Sequence, residues 1–275
     1  MEAGEGEPLI MVPASISELK DWASLVQFMA QWFKVYFFEL PGHGQSESFR
    51  EKFSSHQVAE LVEQLANALR HDTFSLMGFS FGGILVMRAF QLLSTRIERM
   101  FFLSPCLDHR AIPYSALRLK LMYLSNRLLS RPTIQAQFAK LIRNPKTVSI
   151  MVWGLKKLGR LEDTLPLKTK FLQISPSTVA VLNAQVNEIL TTEFEVKPVK
   201  HETPCFFTMS VYDPLLSFQT THQILQNHFA NVNTVKLTYP FHQPPAQFTF
   251  DELNRDFFEA FQLFMHSEQQ VELSP

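Results

Sequence analysis

A serine with a glycine two residues away on either side, Gly78-Phe79-Ser80-Phe81-Gly82, is the part of this 275-residue sequence best suited to covalent chemistry. It follows directly on the apolar run Phe74-Ser75-Leu76-Met77, and Gly83 then opens an apolar, helix-forming run through Leu93. The order is strand, sharp turn, helix. Such a turn holds a serine hydroxyl clear of its own backbone at the C-terminal edge of a parallel sheet, where a nucleophile can reach a substrate. The plainer reading is a glycine-rich turn with an incidental serine. Against it, the whole chain has only 9 glycines, and Gly78, Gly82 and Gly83 crowd into one short stretch.

A hydroxyl is a weak nucleophile alone. It needs a base to take its proton and an acid to hold that base in the right tautomer. Both should stand on loops at the C-terminal ends of strands, beside the serine. Asp213 follows the β-type run Cys205–Val211 and precedes Pro214, while His242 follows the next such run, Thr234–Tyr239, within Pro240-Phe241-His242-Gln243-Pro244. An aspartate before proline is often only a turn residue, and a histidine in a proline-rich loop need not do chemistry. Their joint placement past successive strands, in this order after Ser80, makes Ser80, Asp213 and His242 the expected catalytic set. Asp108, after a strand ending at Ser104, is the competing acid. The other histidines are expected at the surface or in the helical middle of the chain. A neutral imidazole base implies activity that falls with acidification through the ordinary histidine range.

These residues need a scaffold, and the periodicity supplies one. Strands are expected at Pro8–Val12, Lys34–Leu40, Phe74–Met77, Met100–Ser104, Cys205–Val211 and Thr234–Tyr239, with helical patterns between them. Ser54 and Ser55 can cap a helix that runs to His71. Alternating strands and helices with right-handed crossovers give an α/β fold, here a mostly parallel six-stranded sheet flanked by helices. From Asp108 to Lys200 no strand is evident, only amphipathic helices punctuated by Pro113, Pro132, Pro145, Pro166 and Pro176. The expected division is therefore a core of residues 1–107 and 201–275 with a helical cap inserted at 108–200.

Composition narrows the class. With 46% hydrophobic and 19% charged residues, the chain can bury a full core. The 26 phenylalanines, against 5 tyrosines and 3 tryptophans, favour dry aromatic packing or an apolar pocket. No apolar run approaches a membrane span, and the acidic start Met1-Glu2-Ala3-Gly4-Glu5 is unlike a secretory leader, so a cytoplasmic protein is expected. Cys106 and Cys205 fall at opposite ends of their strands, too far apart for a disulfide, and no His/Cys cluster has metal-ligand spacing. Neither a metal nor a cofactor is expected. Charge is segregated: residues 108–170 hold thirteen Lys/Arg against three acids, a net of +10 within a chain of net −1. That stretch is either an ordinary solvated face or a lid that approaches anionic lipid, acyl-phosphate or CoA-like substrates. No nucleic-acid-binding module is recognisable, and nucleic acid is not an expected partner.

Several segments together resemble the α/β-hydrolase superfamily. Leu40-Pro41-Gly42-His43-Gly44-Gln45-Ser46 is similar to its D-x-P-G-H-G-x-S segment, and Gly78-Phe79-Ser80-Phe81-Gly82-Gly83 to its G-x-S-x-G-G nucleophile elbow. Thr203-Pro204-Cys205-Phe206-Phe207 leading to Asp213-Pro214 resembles the acid strand, and His242 the final histidine; the likeness covers residues 9–105 and 203–265. It implies a serine hydrolase that cleaves an apolar carboxylic ester or thioester through an acyl-enzyme, with the oxyanion held by the backbone amides of Phe81 and Ser15. The same triad would also serve C–C hydrolysis or acyl transfer. A non-catalytic relative that binds an apolar ligand is the alternative from another class. Epoxide and haloalkane hydrolases are disfavoured, because they carry aspartate at the elbow. The chain departs from the pattern at Pro13-Ala14-Ser15, where His-Gly is usual, at Glu39 in place of aspartate, and at Phe241 before the histidine. With so few residues ahead of Pro8, the antiparallel hairpin that often opens the sheet is expected to be missing.

Overall fold

In a computed structural model of the chain, which describes residues 1–15, 19–157, 172, 176–240, 242 and 248–267, the sheet is built around its most apolar segments. Strands Phe74–Phe79 (β4) and Cys205–Ser210 (β6) are buried at every position. A strand covered on both faces has no polar side to show, so such sequences read as unbroken apolar runs rather than alternations. Glu7–Val12 (β2), Phe33–Phe37 (β3), Ile97–Leu103 (β5) and Val232–Leu237 (β7) complete the parallel set.

The strand order is β1-β3-β2-β4-β5-β6-β7, so the sheet has seven strands and not the expected six. The extra one, β1, is only Glu2–Ala3, paired antiparallel to β3 with Glu2 opposite Tyr36. Two residues cannot display a period-two pattern, which is why the N-terminus reads as an acidic tail. It is fixed by other means. Lys34 Nζ lies 2.6 Å from Glu2 Oε1, and the terminal amine donates to Phe37 O at 2.7 Å. Gly4 and Gly6, with φ of 76° and 102°, turn the chain from β1 into β2.

Helices cover both faces. On one side lie Ser55–Ala68 (α2) and Gly82–Leu93 (α3), which share a buried cluster with Phe102, Phe207 and Phe229. Ser54 caps α2 through a reciprocal box with Gln57, as the serine pair suggested. On the other side lies Ala23–Met29 (α1), preceded by a short 3₁₀ turn at Leu19–Trp22. The abundant phenylalanine packs on both faces; on this one Phe101 stacks on Phe261 at 5.2 Å, and Phe206 meets the same ring at 4.7 Å.

Between β5 and β6 the described residues form helices Ala116–Leu129 (α4), Pro132–Ile142 (α5), Pro145–Lys157 (α6) and Pro176–Thr191 (α7). Three of the prolines that interrupt the sequence pattern, Pro132, Pro145 and Pro176, begin helices, where a missing N–H costs nothing. Phe218–His228 (α8) and Phe250–Ser267 (α9) follow β6 and β7.

Two histidines are not where the polar-residue reading expects them. His43 and His228 are 4% and 6% exposed, because loop and helix packing closes over positions whose local sequence looks solvent-facing. Burial pushes both imidazoles below the ordinary value of 6.5. A native state that binds protons less readily than the unfolded chain has its full stability above that value and loses it as the pH falls toward the lowered native value. Urea unfolding at about pH 7.5 and about pH 5.5 should therefore give a lower midpoint in acid, and His43→Gln should shrink the difference. Equal midpoints in the wild-type chain would contradict the assignment.

Candidate active site

The chain leaves β2 toward β3 on one side of the sheet and leaves β4 toward β5 on the other. Connections that diverge in this way open a crevice at the C-terminal ends of the two strands, where open α/β sheets bind ligands. Ser80, the first residue after β4, stands at that crevice. Its φ is 51°, a left-handed conformation that a serine adopts only when the surroundings impose it. They do so from several directions. Ser80 N donates to Leu103 O at 3.1 Å, and Ser80 O accepts from Cys106 N at 2.8 Å and Gly83 N at 2.9 Å.

The flanking glycines allow three backbones to meet. A Cβ at Gly78 would collide with the carbonyl of Gly82, one at Gly82 would lie 2.8 Å from Val12 O, and one at Gly83 would lie 2.6 Å from Pro105 Cβ. The contact of Gly82 with the end of β2 also brings the loop Pro13-Ala14-Ser15 against the elbow. Ser15 there is half-buried in a turn, and Phe81 caps α3, whose first turn directs amide groups and the positive end of the helix dipole at the crevice.

Asp213 lies three residues beyond the end of β6, and His242 lies beyond β7. The structure brings both to Ser80. His242 Nε2 is 2.9 Å from Ser80 Oγ, and His242 Nδ1 is 2.6 Å from Asp213 Oδ2. The Asp213 side chain is fully buried, and its other oxygen accepts from the amides of Leu215 at 2.8 Å and Leu216 at 3.0 Å. An ionised carboxylate only accepts, so Nδ1 must carry the proton and Nε2 is left with a lone pair facing the serine hydroxyl. This tautomer lets the ring take a proton from Ser80. The flanking Phe241 and residues 243–247 lie outside the described residues.

Two positioning groups have no signature in the sequence. Phe79, between the first glycine and the serine, stacks on the His242 ring at 5.3 Å with planes inclined by 29°. Ser210, the last residue of β6, donates its hydroxyl to Tyr239 O and accepts from Tyr212 N at 3.1 Å, while Val211 N donates to Leu237 O at 2.9 Å. These bonds tie the loops that carry Asp213 and His242 to each other. Adjacent strand ends could have suggested the tie, but only once the strand order was known.

Asp108, the competing acid, is engaged elsewhere. It is fully buried and accepts from Arg110 N at 2.8 Å, Nε at 2.9 Å and Nη2 at 2.6 Å. Glu39 likewise serves its own loop. It accepts from Gln45 N at 2.9 Å, and its carboxylate folds across Gly44, where φ is 52° and a Cβ would strike it. Thr178 of α7 donates to Gly42 O at 3.0 Å, so the Pro-Gly-His-Gly loop rests against the helices that follow β5. Cys106 and Cys205 are free and buried; burial pushes the Cys106 thiol up to about 12, and neither is a nucleophile. Among the described residues, no three His, Cys, Asp or Glu converge as a metal site, and no helix is long and apolar enough to cross a membrane.

Comparison with known proteins places this arrangement. A family model described as alpha/beta hydrolase fold matches residues 7–146, about half of the chain. The chain is 28% identical over 104 residues to abhydrolase domain-containing protein abhd-5.2 of Caenorhabditis elegans, a match over 36% of this chain and 23% of that protein. In structure it is similar to a Bacillus megaterium epoxide hydrolase, with TM-score 0.69 and 13% identity over 97% of this chain and 95% of that one. A thermophilic esterase from Thermogutta terrifontis superposes with TM-score 0.68 and 14% identity over 97% and 92% of the two chains. At such identities the likeness concerns the fold alone.

The elbow contacts make a direct prediction. Gly78→Ala should destabilise the chain by at least about 2 kcal/mol, because the new methyl group meets backbone and not a side chain that can swing away. Thermal unfolding measures this, and an unchanged midpoint would show that the turn can relax.

Proposed function

This chain belongs to the α/β-hydrolase fold family, and we propose that it is a serine hydrolase acting on a carboxylic ester or thioester with an apolar acyl group. The observation that carries the reading is the single imidazole of His242 bridging Ser80 Oγ at 2.9 Å and Asp213 Oδ2 at 2.6 Å. Ser80 Oγ adds to the acyl carbon as its proton passes to His242 Nε2, and the buried Asp213 carboxylate offsets the charge of the imidazolium. The backbone amides of Phe81 and Ser15 stabilise the tetrahedral oxyanion. They suit that role because main-chain donors need no particular side chain, so replacement of the usual His-Gly by Ala14-Ser15 preserves a possible donor. As the C–O or C–S bond breaks, the imidazolium protonates the departing alcohol or thiol. Water then adds to the acyl-enzyme with His242 Nε2 as base, the Ser80 ester bond breaks, and the carboxylic acid leaves.

Residues 108–200 act in this reading as a cap over the site. The support is the bond from α7 to the Pro-Gly-His-Gly loop and the run of helices between β5 and β6. A lid of this kind sets which acyl groups enter, while the sheet rim sets the chemistry. We place the protein in the cytoplasm, with which two free, buried thiols agree.

A fluorophosphonate probe should label the folded wild-type chain on Ser80 and leave Ser80→Ala unlabelled. Against p-nitrophenyl esters of graded acyl length, with acyl-CoA alongside, Ser80→Ala should abolish turnover, and Asp213→Asn should lower kcat by about 10⁴-fold by freeing the imidazole to adopt the wrong tautomer. A wild-type chain that is folded yet unlabelled would favour a ligand-binding protein. Labelling without hydrolysis of any ester or thioester would point to acyl transfer or C–C cleavage on the same residues.

A further inference from the structure

Helix α4 is unusual in how little of itself it buries. Its one fully buried residue is Asn126, whose side chain donates to Asn183 O of α7 at 3.0 Å. On the opposite side, Leu117, Leu121, Leu124 and Leu128 form one stripe at helical spacing, and they are 68%, 56%, 47% and 48% exposed. In a helix that packs only against its own protein, such a stripe is the buried one. Here it faces water. Lys120 and Arg127 lie along one edge of the stripe and Arg118 along the other, all exposed.

The charges that α4 to α6 carry have one sign. From His109 through Leu161 there is no Asp or Glu, while the same span holds eleven Lys/Arg. An ordinary solvated helix mixes signs, because intrahelical pairs stabilise it and a block of one sign repels itself. The following helices continue the theme, with exposed Leu141, Ile150 and Trp153 among Lys140, Arg143 and Lys146. Exposed leucines flanked by cations, on helices α4 to α6 that carry no Asp or Glu, match a surface that offers anionic headgroups above a hydrocarbon layer. An acidic protein partner would require complementary shape as well, and nothing in a single exposed ridge supplies a groove for one.

We propose that α4 is an interfacial docking element that seats on an anionic lipid bilayer, its leucine stripe entering the headgroup–acyl boundary and its cations meeting lipid phosphates and carboxylates. A cavity of about 450 Å³ lies behind the ridge, lined mostly by apolar side chains of α4 to α7. Leu121 belongs to both the ridge and the cavity wall, so a chain leaving the bilayer meets an apolar space at the point of docking. The size suits a lipid-derived ligand. Docking does not depend on the hydrolase reading, and Ser80→Ala should bind vesicles as the wild type does.

Co-sedimentation with vesicles tests the proposal, using phosphatidylcholine alone or with about 30% phosphatidylserine, at about 0.1 M and about 0.5 M salt. The expected result is capture by the anionic vesicles at low salt and release at high salt. Lys120→Glu with Arg127→Glu should weaken capture at least about tenfold, since each interfacial cation contributes roughly fivefold. Leu117→Ser with Leu124→Ser should weaken it too, and circular dichroism establishes that both variants remain folded. No capture at low salt, equal capture by neutral vesicles, or charge reversal without effect would each overturn the proposal. So would self-association through the ridge, seen by sedimentation velocity, with no vesicle binding.

Discussion

Everything at the candidate site depends on how closely the start of α3 can approach the strands beside it. The helix begins where the backbone of Gly82 rests on the end of β2 and the carbonyl of Gly82 fills the space a side chain at Gly78 would need. With Gly83 against Pro105, the elbow is held by main chain on three sides. A left-handed serine is costly in isolation, and the contacts here leave it no alternative. Close packing thus places a hydroxyl at the sheet rim, the head of a helix beside it, and the loop after β2 within reach.

The same constraint explains why the site could be read so far in the sequence. A turn that tolerates no side chain at fixed positions leaves glycines at fixed positions, and these survive as a visible motif. Asp213 and His242 could be found because each follows a strand whose apolar run is unmistakable, a consequence of burial on both faces. Where the context is weaker, the reading is weaker. Asp108 has the same local setting as Asp213, after a strand end, and only three dimensions show that Arg110 occupies its carboxylate. His43 and His228 look like surface residues because burial of a polar side chain is decided by distant segments. Phe79 against His242, and the bridge from Ser210 to Tyr239, join residues far apart in the chain and leave no periodic trace.

The architecture follows a similar division. Six strands and their helices announce themselves through periodicity, whereas β1 is too short to have one and is held by an ion pair, a terminal amine and two glycines. The helices between β5 and β6 present the reverse difficulty. Their amphipathic pattern identifies helices, but the usual inference that the apolar stripe faces inward fails for α4, where the leucine stripe is exposed and Asn126 is the residue of the helix buried against the protein. Pattern tells which residues share a side of a helix; it does not tell which side has company.

The bridge between Ser210 and Tyr239 has a consequence for how the molecule would fail. β7 is the last strand of the sheet, hydrogen-bonded to a neighbour on one side only, and such edges open locally at a lower free energy than the centre. His242 hangs from that edge, while Ser80 is anchored three strands further in, at the end of β4. Fraying of the rim would carry the imidazole away from the hydroxyl long before the core melts. Heat or mild denaturant should thus disable the site in a molecule whose helices and sheet are still intact, with the hydroxyl of Ser210 setting how far apart the two events lie.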